Sequence, residues 1–165
     1  MDNHTITIVL DDSTHFKTLA KLSLDTLADF WNVWHFENEL QNPFSKIFVA
    51  LFNRDPIGFL VTHITASAVI QSFAVAKEYQ KLGVGTKLFE EFLKECKNQK
   101  IKTITLDVRV SNTTAIQFYS KKCFQIAHTA KNFYREPTED AYLLLYKLQP
   151  QGENHNAKQP TETKE

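Results

Sequence analysis

Only two of the 165 residues are cysteine, Cys96 and Cys123, which excludes a disulfide framework and points to a reducing cytoplasm. Charge of neither sign is in excess: 19 Lys and Arg offset 19 Asp and Glu, so nothing steers the chain toward nucleic acid or an anionic membrane. No apolar run approaches the roughly 20 residues that span a bilayer. The opening Met-Asp-Asn-His-Thr lacks a basic segment followed by an apolar one, so no secretory leader is expected. The six histidines, at 4, 15, 35, 63, 128 and 155, show no ligand spacing such as H-x3-H, and no metal is expected. What the chain does have is ordinary for a globular protein: 42% hydrophobic and 23% charged residues, with thirteen Phe and two Trp to fill one core.

The order of elements follows from periodicity. Residues 4–9 alternate as a strand, and Asp12 or Ser13 is placed to cap a helix carrying Phe16, Leu19, Leu22, Leu24 and Leu27. A second helix runs from about residue 32 to 40 and stops at Asn42-Pro43. Residues 46–52 and 57–64 read as a hairpin around Asn53-Arg54-Asp55-Pro56, and 67–75 as a further strand. From Val84, apolar residues at Leu88, Phe89, Phe92, Leu93 and Cys96 follow helical spacing. Residues 102–110 alternate, with Ile104, Leu106, Val108 and Val110 on one face and Thr105, Asp107 and Arg109 on the other. Ser111 or Asn112 caps a short helix to about residue 121, and 124–129 and 141–148 read as the last strands. Residues 1–149 are expected to form one domain, and the polar stretch 150–165 a disordered tail.

Glycine is scarce, four in all, and two of the four lie two positions apart in Gln80-Lys81-Leu82-Gly83-Val84-Gly85-Thr86. The apolar run 69–75 precedes this stretch and the amphipathic run from Val84 follows it, which is the order strand, turn, helix. Backbone N–H groups at a helix start have no intrahelical acceptor and carry the positive end of the helix dipole. Glycines there let an anionic group approach the main chain. A plain strand-to-helix turn with a capping glycine would share the pattern.

A second block lies downstream: Leu106-Asp107-Val108-Arg109-Val110-Ser111-Asn112, then Ala115, then Phe118-Tyr119-x-Lys121-x-Cys123-Phe124. Together the two blocks resemble the acetyl-CoA pyrophosphate loop, and the following strand and helix, of the GNAT acyl-CoA N-acyltransferases. Trp31, Phe36, Glu39 and Leu40 resemble a pattern in the second helix of the RimI-type ribosomal-protein N-alpha-acetyltransferases. Asn132-Phe133-Tyr134 and Glu139-Asp140-Ala141 resemble that subfamily's substrate-side hairpin. The resemblance covers residues 4–148.

The resemblance implies an α/β (α+β) fold, with a mixed, mostly antiparallel twisted sheet of about seven strands flanked by about four helices. It implies acetyl-CoA as co-substrate, held by Phe73, Ala74 and Val75, by the loop Gln80, Lys81, Leu82, Gly83, Val84, Gly85 and Thr86, and by Asn112 and Tyr119. Backbone N–H groups near Phe73 and Val75 would stabilise the oxyanion. Tyr119 would be the general acid for the departing thiolate; an amphipathic core tyrosine is the other reading. Asp107 would be the general base where the family usually has Glu, its shorter reach favouring a water relay; pairing with Arg109 is the structural alternative. Phe36, Glu39 and Tyr134, with Glu139 or Asp140, would face the acceptor, although Trp31, Trp34 and Phe36 also fit a core. Cys123 stands where the family has Gly, at a position that often takes a left-handed conformation costing a non-glycine residue roughly 1 kcal/mol. No His or acid partner accompanies it as a nucleophile, and Cys96 falls on the apolar face of its helix. The implied activity is direct transfer of an acetyl group to a protein N-terminal amine, the N-terminal alanine of a small-subunit ribosomal protein. The protein would act as a monomer or weak dimer. A small-molecule amine or lysine acceptor, or an inactive acyl-CoA-binding module, are the rival readings.

Overall fold

The computed structural model describes residues 5–149, so the expected strand residue at position 4 and the expected tail at 150–165 lie outside the described residues. The elements are β1 (Ile6–Leu10), α1 (Phe16–Thr26), α2 (Val33–Gln41), β2 (Ser45–Phe52), β3 (Asp55–Ile64), β4 (Ala68–Val75), α3 (Val84–Asn98), β5 (Thr103–Arg109), α4 (Thr113–Lys121), β6 (Gln125–Arg135) and β7 (Thr138–Lys147). The seven strands form one sheet in the order β1-β2-β3-β4-β5-β7-β6. All neighbours are antiparallel except β4 and β5, which run parallel and are joined through α3. This is the mixed sheet with four helices that the sequence implies.

Local chemistry sets the joints. Asn53 and Arg54, at φ +50° and +72°, make the two-residue turn between β2 and β3, whose twist matches that of the strands. Asn32 and His35 cap α2 reciprocally: the Asn32 side chain accepts from the His35 N–H, and His35 Nδ1 accepts from the Asn32 N–H. Asn112 caps α4 by accepting from the Ala115 N–H at 3.1 Å. At the other end of α4, Cys123 sits at φ +68°. There the Cys123 N–H bonds the Ser120 carbonyl and the Phe124 N–H bonds the Tyr119 carbonyl, a Schellman closure made without glycine.

Strand alternation divides the core between the two faces of the sheet. Phe48, Leu60, Ile70, Ile104 and Leu106 face α3 and α4, where they meet Leu88, Phe89, Phe92 and the fully buried Cys96. Val49, Phe59 and Val61 face α1 and α2, where they meet Phe16, Leu19 and Phe36. Each fully buried aromatic of this kind stabilises the fold by about 1.5–3 kcal/mol. Burial pushes the Cys96 thiol up to about 12, so it packs as an apolar group.

Four details depart from the sequence expectation. Neither Asp12 nor Ser13 caps α1: Asp12 accepts from Thr14, and the helix begins at Phe16 after His15 with no side-chain cap. Leu24 points outward, 59% exposed, because the buried face of α1 runs through Phe16, Leu19, Leu22 and Ser23. Trp34 is 64% exposed and lies outside the core. The last hairpin is longer than expected, because irregular register hides its alternation: three residues, 131–133, stand opposite the single residue Asp140. Asp140 fills that bulge, accepting from the Asn132 N–H at 2.9 Å and from Lys131 Nζ at 2.7 Å.

Gly58 on β3 is required for space. A Cβ there would lie 3.0 Å from the Ala74 carbonyl oxygen and 3.3 Å from Leu88 and Val75. The carbonyl belongs to the neighbouring strand and cannot move aside. Gly58→Ala is therefore expected to cost about 1–3 kcal/mol, read as a lowered midpoint in chemical denaturation. An unchanged midpoint would show that β4 yields at this point.

Candidate active site

β4 and β5 are hydrogen-bonded neighbours at only two positions, Ala68 opposite Ile104 and Val69 opposite Thr105. Beyond these, β4 stays with β3 and β5 stays with β7, so the sheet opens. The opening has a local cause. Val61 pairs with Ser72 but Thr62 pairs with Ile70, which leaves Gln71 as an extra residue that bends β4. The gap holds a cavity of about 330 Å³, walled by residues 69–73 of β4 and 106–109 of β5. Asn112 and Tyr119 close one side, the α1–α2 connection brings Asp29 and Trp31, and the β6–β7 hairpin brings Phe133 and Tyr134.

At the C-terminal end of β4, α3 starts without a side-chain cap, its N-cap residue Gly83 at φ +85°. The first helical bond is donated by Lys87 to the Gly83 carbonyl, so the N–H groups of Val84, Gly85 and Thr86 have no intrahelical acceptor. They stand at the positive end of a 15-residue helix. Gly83 needs its positive φ, since a Cβ there would meet nothing within 4 Å. Gln80 turns its side chain inward, donating from Nε2 to the Val75 carbonyl at 2.9 Å, and so ties the loop to β4. The loop therefore offers backbone, the feature an anionic phosphate needs.

Inside the cavity, Asp107 and Tyr119 come from different elements, β5 and α4. The Asp107 carboxyl is raised above the usual carboxylate range by desolvation from the surrounding walls. Tyr119 is only 5% exposed and packs against Phe73, Phe118 and Phe124. Burial pushes its phenol well above its ordinary value, so it remains protonated and keeps a hydrogen to donate. No protein group hydrogen-bonds its hydroxyl among the described residues.

Arg109 braces the side of the cavity nearest the β6–β7 hairpin. It does not pair with Asp107. Nε and Nη2 bond the two oxygens of Asp29 at 2.9 and 2.8 Å, a bidentate fork across the cavity. Nη1 reaches the Pro137 carbonyl at 3.0 Å and Glu139 Oε2 at 3.3 Å, and Nη2 reaches the Glu136 carbonyl at 3.2 Å. The guanidinium lies 4.0 Å from the centre of the Tyr134 ring. Hydrogen bonds to Asp29, above all, raise its pKa and keep it charged. The Ser111 N–H, and then Arg109, hold Glu139 below its ordinary range. Burial first, then the charges of Asp29 and Asp107, push the Tyr134 phenol up to about 12. One buried cation thus ties the α1–α2 connection to the β6–β7 hairpin over the mouth of the cavity.

The residues predicted from sequence separate into groups. Phe73, Asp107, Asn112, Tyr119 and Tyr134 line the cavity together. Ala74, Val75 and the loop from Gln80 to Thr86 lie beyond it, at the end of β4. Phe36 does not reach the cavity: it is fully buried between Phe16 and Phe59, a core residue. Glu39 does not reach it either, its Oε2 lying 2.6 Å from His63 Nε2. Glu139 and Asp140 are committed to Arg109, Ser111 and the hairpin bulge. Sequence reasoning missed Asp29, which sits in no motif between two helices, and Ser72, which is buried in the wall beside the bulge.

A parallel strand pair that separates beneath an uncapped helix start, with a carboxyl and a phenol in the gap, is an arrangement suited to acyl-group transfer. The chain belongs to the Acetyltransferase (GNAT) family, whose match covers residues 15–123, and it is an acetyltransferase. It is 29% identical to an N-alpha-acetyltransferase of Saccharolobus solfataricus over 144 residues, covering 79% of this chain and 86% of the relative. The crystal structure of the ribosomal-protein-S18-alanine N-acetyltransferase from Escherichia coli superposes with a TM-score of 0.81 at 26% identity, over 91% of this chain and 98% of that one. Arabidopsis thaliana NAA60, solved in complex with acetyl-CoA, shares the fold with a TM-score of 0.79 at 19% identity, over 87% and 100% of the two chains.

Proposed function

We propose that this protein uses acetyl-CoA to acetylate a protein N-terminal amine, with the N-terminal alanine of a small-subunit ribosomal protein as the acceptor. The observation that carries the reading is the cavity shared by Asp107 and Tyr119, whose wall residue Phe73 lies beside Gly85 at the start of α3 and which is also bounded by Arg109 and its partner Asp29. Acetyl-CoA fits the chain's own features: unpaired N–H groups at the start of α3 suit a pyrophosphate, and the gap between β4 and β5 suits an extended pantetheine arm. When bound, it supplies the activated acyl group. Residues 1–149 form the catalytic domain in this reading, and the protein works in the cytoplasm.

The chain's residues then divide the work. Asp107 takes a proton from the acceptor ammonium, directly or through a water. The amine nitrogen bonds to the acyl carbon as the carbon–sulfur bond breaks. Tyr119 gives its proton to the departing thiolate, and the second proton that the nitrogen sheds as the amide forms returns through water to Tyr119. Asp29 and Glu139, both committed to Arg109, leave Asp107 as the uncommitted carboxylate for a cationic N-terminus. Tyr134 and Phe133 wall the acceptor's path.

The assay that tests this uses the purified full chain, acetyl-CoA and free-thiol detection. Its acceptors are peptides with a free N-terminal Ala, N-blocked lysine peptides, and polyamines. Thiol release with the free N-terminus alone is the expected result. Release only with lysine peptides or polyamines would transfer the activity to those acceptors, and acetyl-CoA binding without turnover would make the protein a binding module.

Asp107→Asn is expected to lower kcat/KM by about 10²-fold and to remove the acid limb of its pH profile. Its effect on stability has the opposite sign. A carboxyl whose pKa is raised on folding contributes stability below its unfolded pKa, lost as pH rises through the folded value. At neutral pH the ionised Asp107 is therefore a net cost, and the Asn variant should melt at or above the parent temperature. A melting point clearly below the parent's would make Asp107 a structural residue.

A further inference from the structure

A second pocket, of about 180 Å³, lies between the end of β1, the C-terminal part of α2 and the start of β2. It shares no lining residue with the acetyl-transfer cavity. Leu10, Asp11, Glu39, Leu40, Ser45 and Lys46 line it.

Two of its polar atoms have no partner in the protein among the described residues. The Asp11 side chain is only 1% exposed. Its Oδ1 accepts from the Asp12 N–H at 2.9 Å and lies 3.1 Å from His15 Nδ1. Its Oδ2 is buried with no hydrogen-bond partner, and the Ser45 hydroxyl oxygen is in the same condition. Leaving a buried acceptor unpaired costs about 1–3 kcal/mol, and more when it is charged. Both residues line one small pocket, and each unpaired atom calls for a partner that the described residues do not supply. Glu39 adds a second carboxylate, of which only Oε2 is engaged, by His63. The single cation of the lining does not compensate them. Lys46 sends its ammonium to Glu95 on α3, 3.2 Å away on the other face of the sheet. The neighbouring Leu10 and Leu40 are apolar and unusually open, 57% and 42% exposed.

We infer that this pocket binds a compact organic cation carried on an aliphatic stem, an alkylguanidinium or alkylammonium group. The head donates to Asp11 Oδ2 and the Ser45 hydroxyl beside Glu39, and the stem lies on Leu10 and Leu40. Such a group is offered by an arginine or lysine side chain of a docked polypeptide, and by a free polyamine.

The test is a titration of the full ¹⁵N-labelled chain with n-butylguanidinium, with neutral n-butylurea as the matched control. Saturable amide shifts at residues 10–11, 39–41 and 45–47 are expected with the cation alone. Asp11→Asn should weaken binding about tenfold, the loss of one charge-assisted hydrogen bond, and Ser45→Ala about threefold. Ser45→Ala removes a hydroxyl that holds nothing in the fold, so it reports on binding even if Asp11→Asn is poorly folded. Equal binding of the urea, unchanged affinity in the Ser45 variant, or shifts confined to the acetyl-transfer cavity would overturn the inference. An arginine-bearing pentapeptide that binds more tightly than the free cation would assign the pocket to a polypeptide. Equal affinity would assign it to a small free cation.

Discussion

Arg109→Met is expected to melt roughly 5–15 °C below the parent chain and to lose most of its acetyl transfer, the first from a loss of about 2–4 kcal/mol. All five N–H donors of the guanidinium are in use, on Asp29, Glu139 and the carbonyls of Glu136 and Pro137. Methionine fills the space of the stem but returns none of these bonds. Breaking a buried pair costs about 3–5 kcal/mol when the partner stays buried. Here the Asp29 side chain is 55% exposed and can rehydrate, which lowers the estimate. Glu139 and the two carbonyls are less fortunate, and the hairpin loses its tie to the α1–α2 connection. Arg109→Lys should recover less than half of the loss, because an ammonium cannot make the bidentate fork. The activity falls for a separate reason. Without Arg109, the α1–α2 connection and the hairpin carrying Phe133 and Tyr134 lose the tie that holds both against the cavity. A raised KM for the acceptor peptide in Arg109→Lys, with kcat nearly unchanged, would separate this effect from instability. A methionine variant that melts within about 2 °C of the parent would show that the latch does not hold the hairpin.

How much of this was legible in the sequence depends on how local each cause is. The Gln80–Thr86 loop could be read because a glycine at positive φ, a strand before it and a helix after it all lie within one short stretch. Asp107 and Tyr119 were singled out by resemblance, while the alternation of β5 and the Asn112 cap of α4 told only which element carries each. Phe36 and Glu39 could not be placed, because helical spacing gives a face and leaves open what that face meets. Phe36 went to the core against Phe59, and Glu39 to His63 on β3. The Arg109–Asp29 fork was beyond reach for the same reason, the two residues lying 80 positions apart with nothing local to link them. The pairing Asp107–Arg109, suggested by their shared strand face, lost to a geometry in which five bonds were on offer elsewhere. The long last hairpin was hidden by its bulge, where Asp140 stands opposite three residues and breaks the period-2 pattern.

Tyr119→Phe is the sharpest test of the chemistry, because it removes one oxygen and little else. The ring is part of the aromatic core, 5.2 Å from Phe124 and 5.3 Å from Phe118 between centroids, and phenylalanine keeps those contacts. The hydroxyl makes no bond to the protein among the described residues, so its loss should leave the melting temperature unchanged or slightly higher. Acetyl-CoA affinity should also stay within about twofold, since the cradle at the start of α3 is built from backbone. Turnover is expected to fall by about 10²–10³-fold, the usual yield of a positioned proton donor. Burial keeps the proton on the phenol across the working range and makes it a weaker acid, so its transfer depends on the thiolate charge developing beside it in the same desolvated cavity. It follows that the parent enzyme should show no loss of activity from Tyr119 ionisation at alkaline pH, and any basic limb must come from another group. The same split between turnover and affinity distinguishes a proton donor from a packing residue. A packing residue would lower the melting temperature and weaken acetyl-CoA together. Unchanged turnover in Tyr119→Phe would remove it from the mechanism and leave the thiolate to be protonated by water.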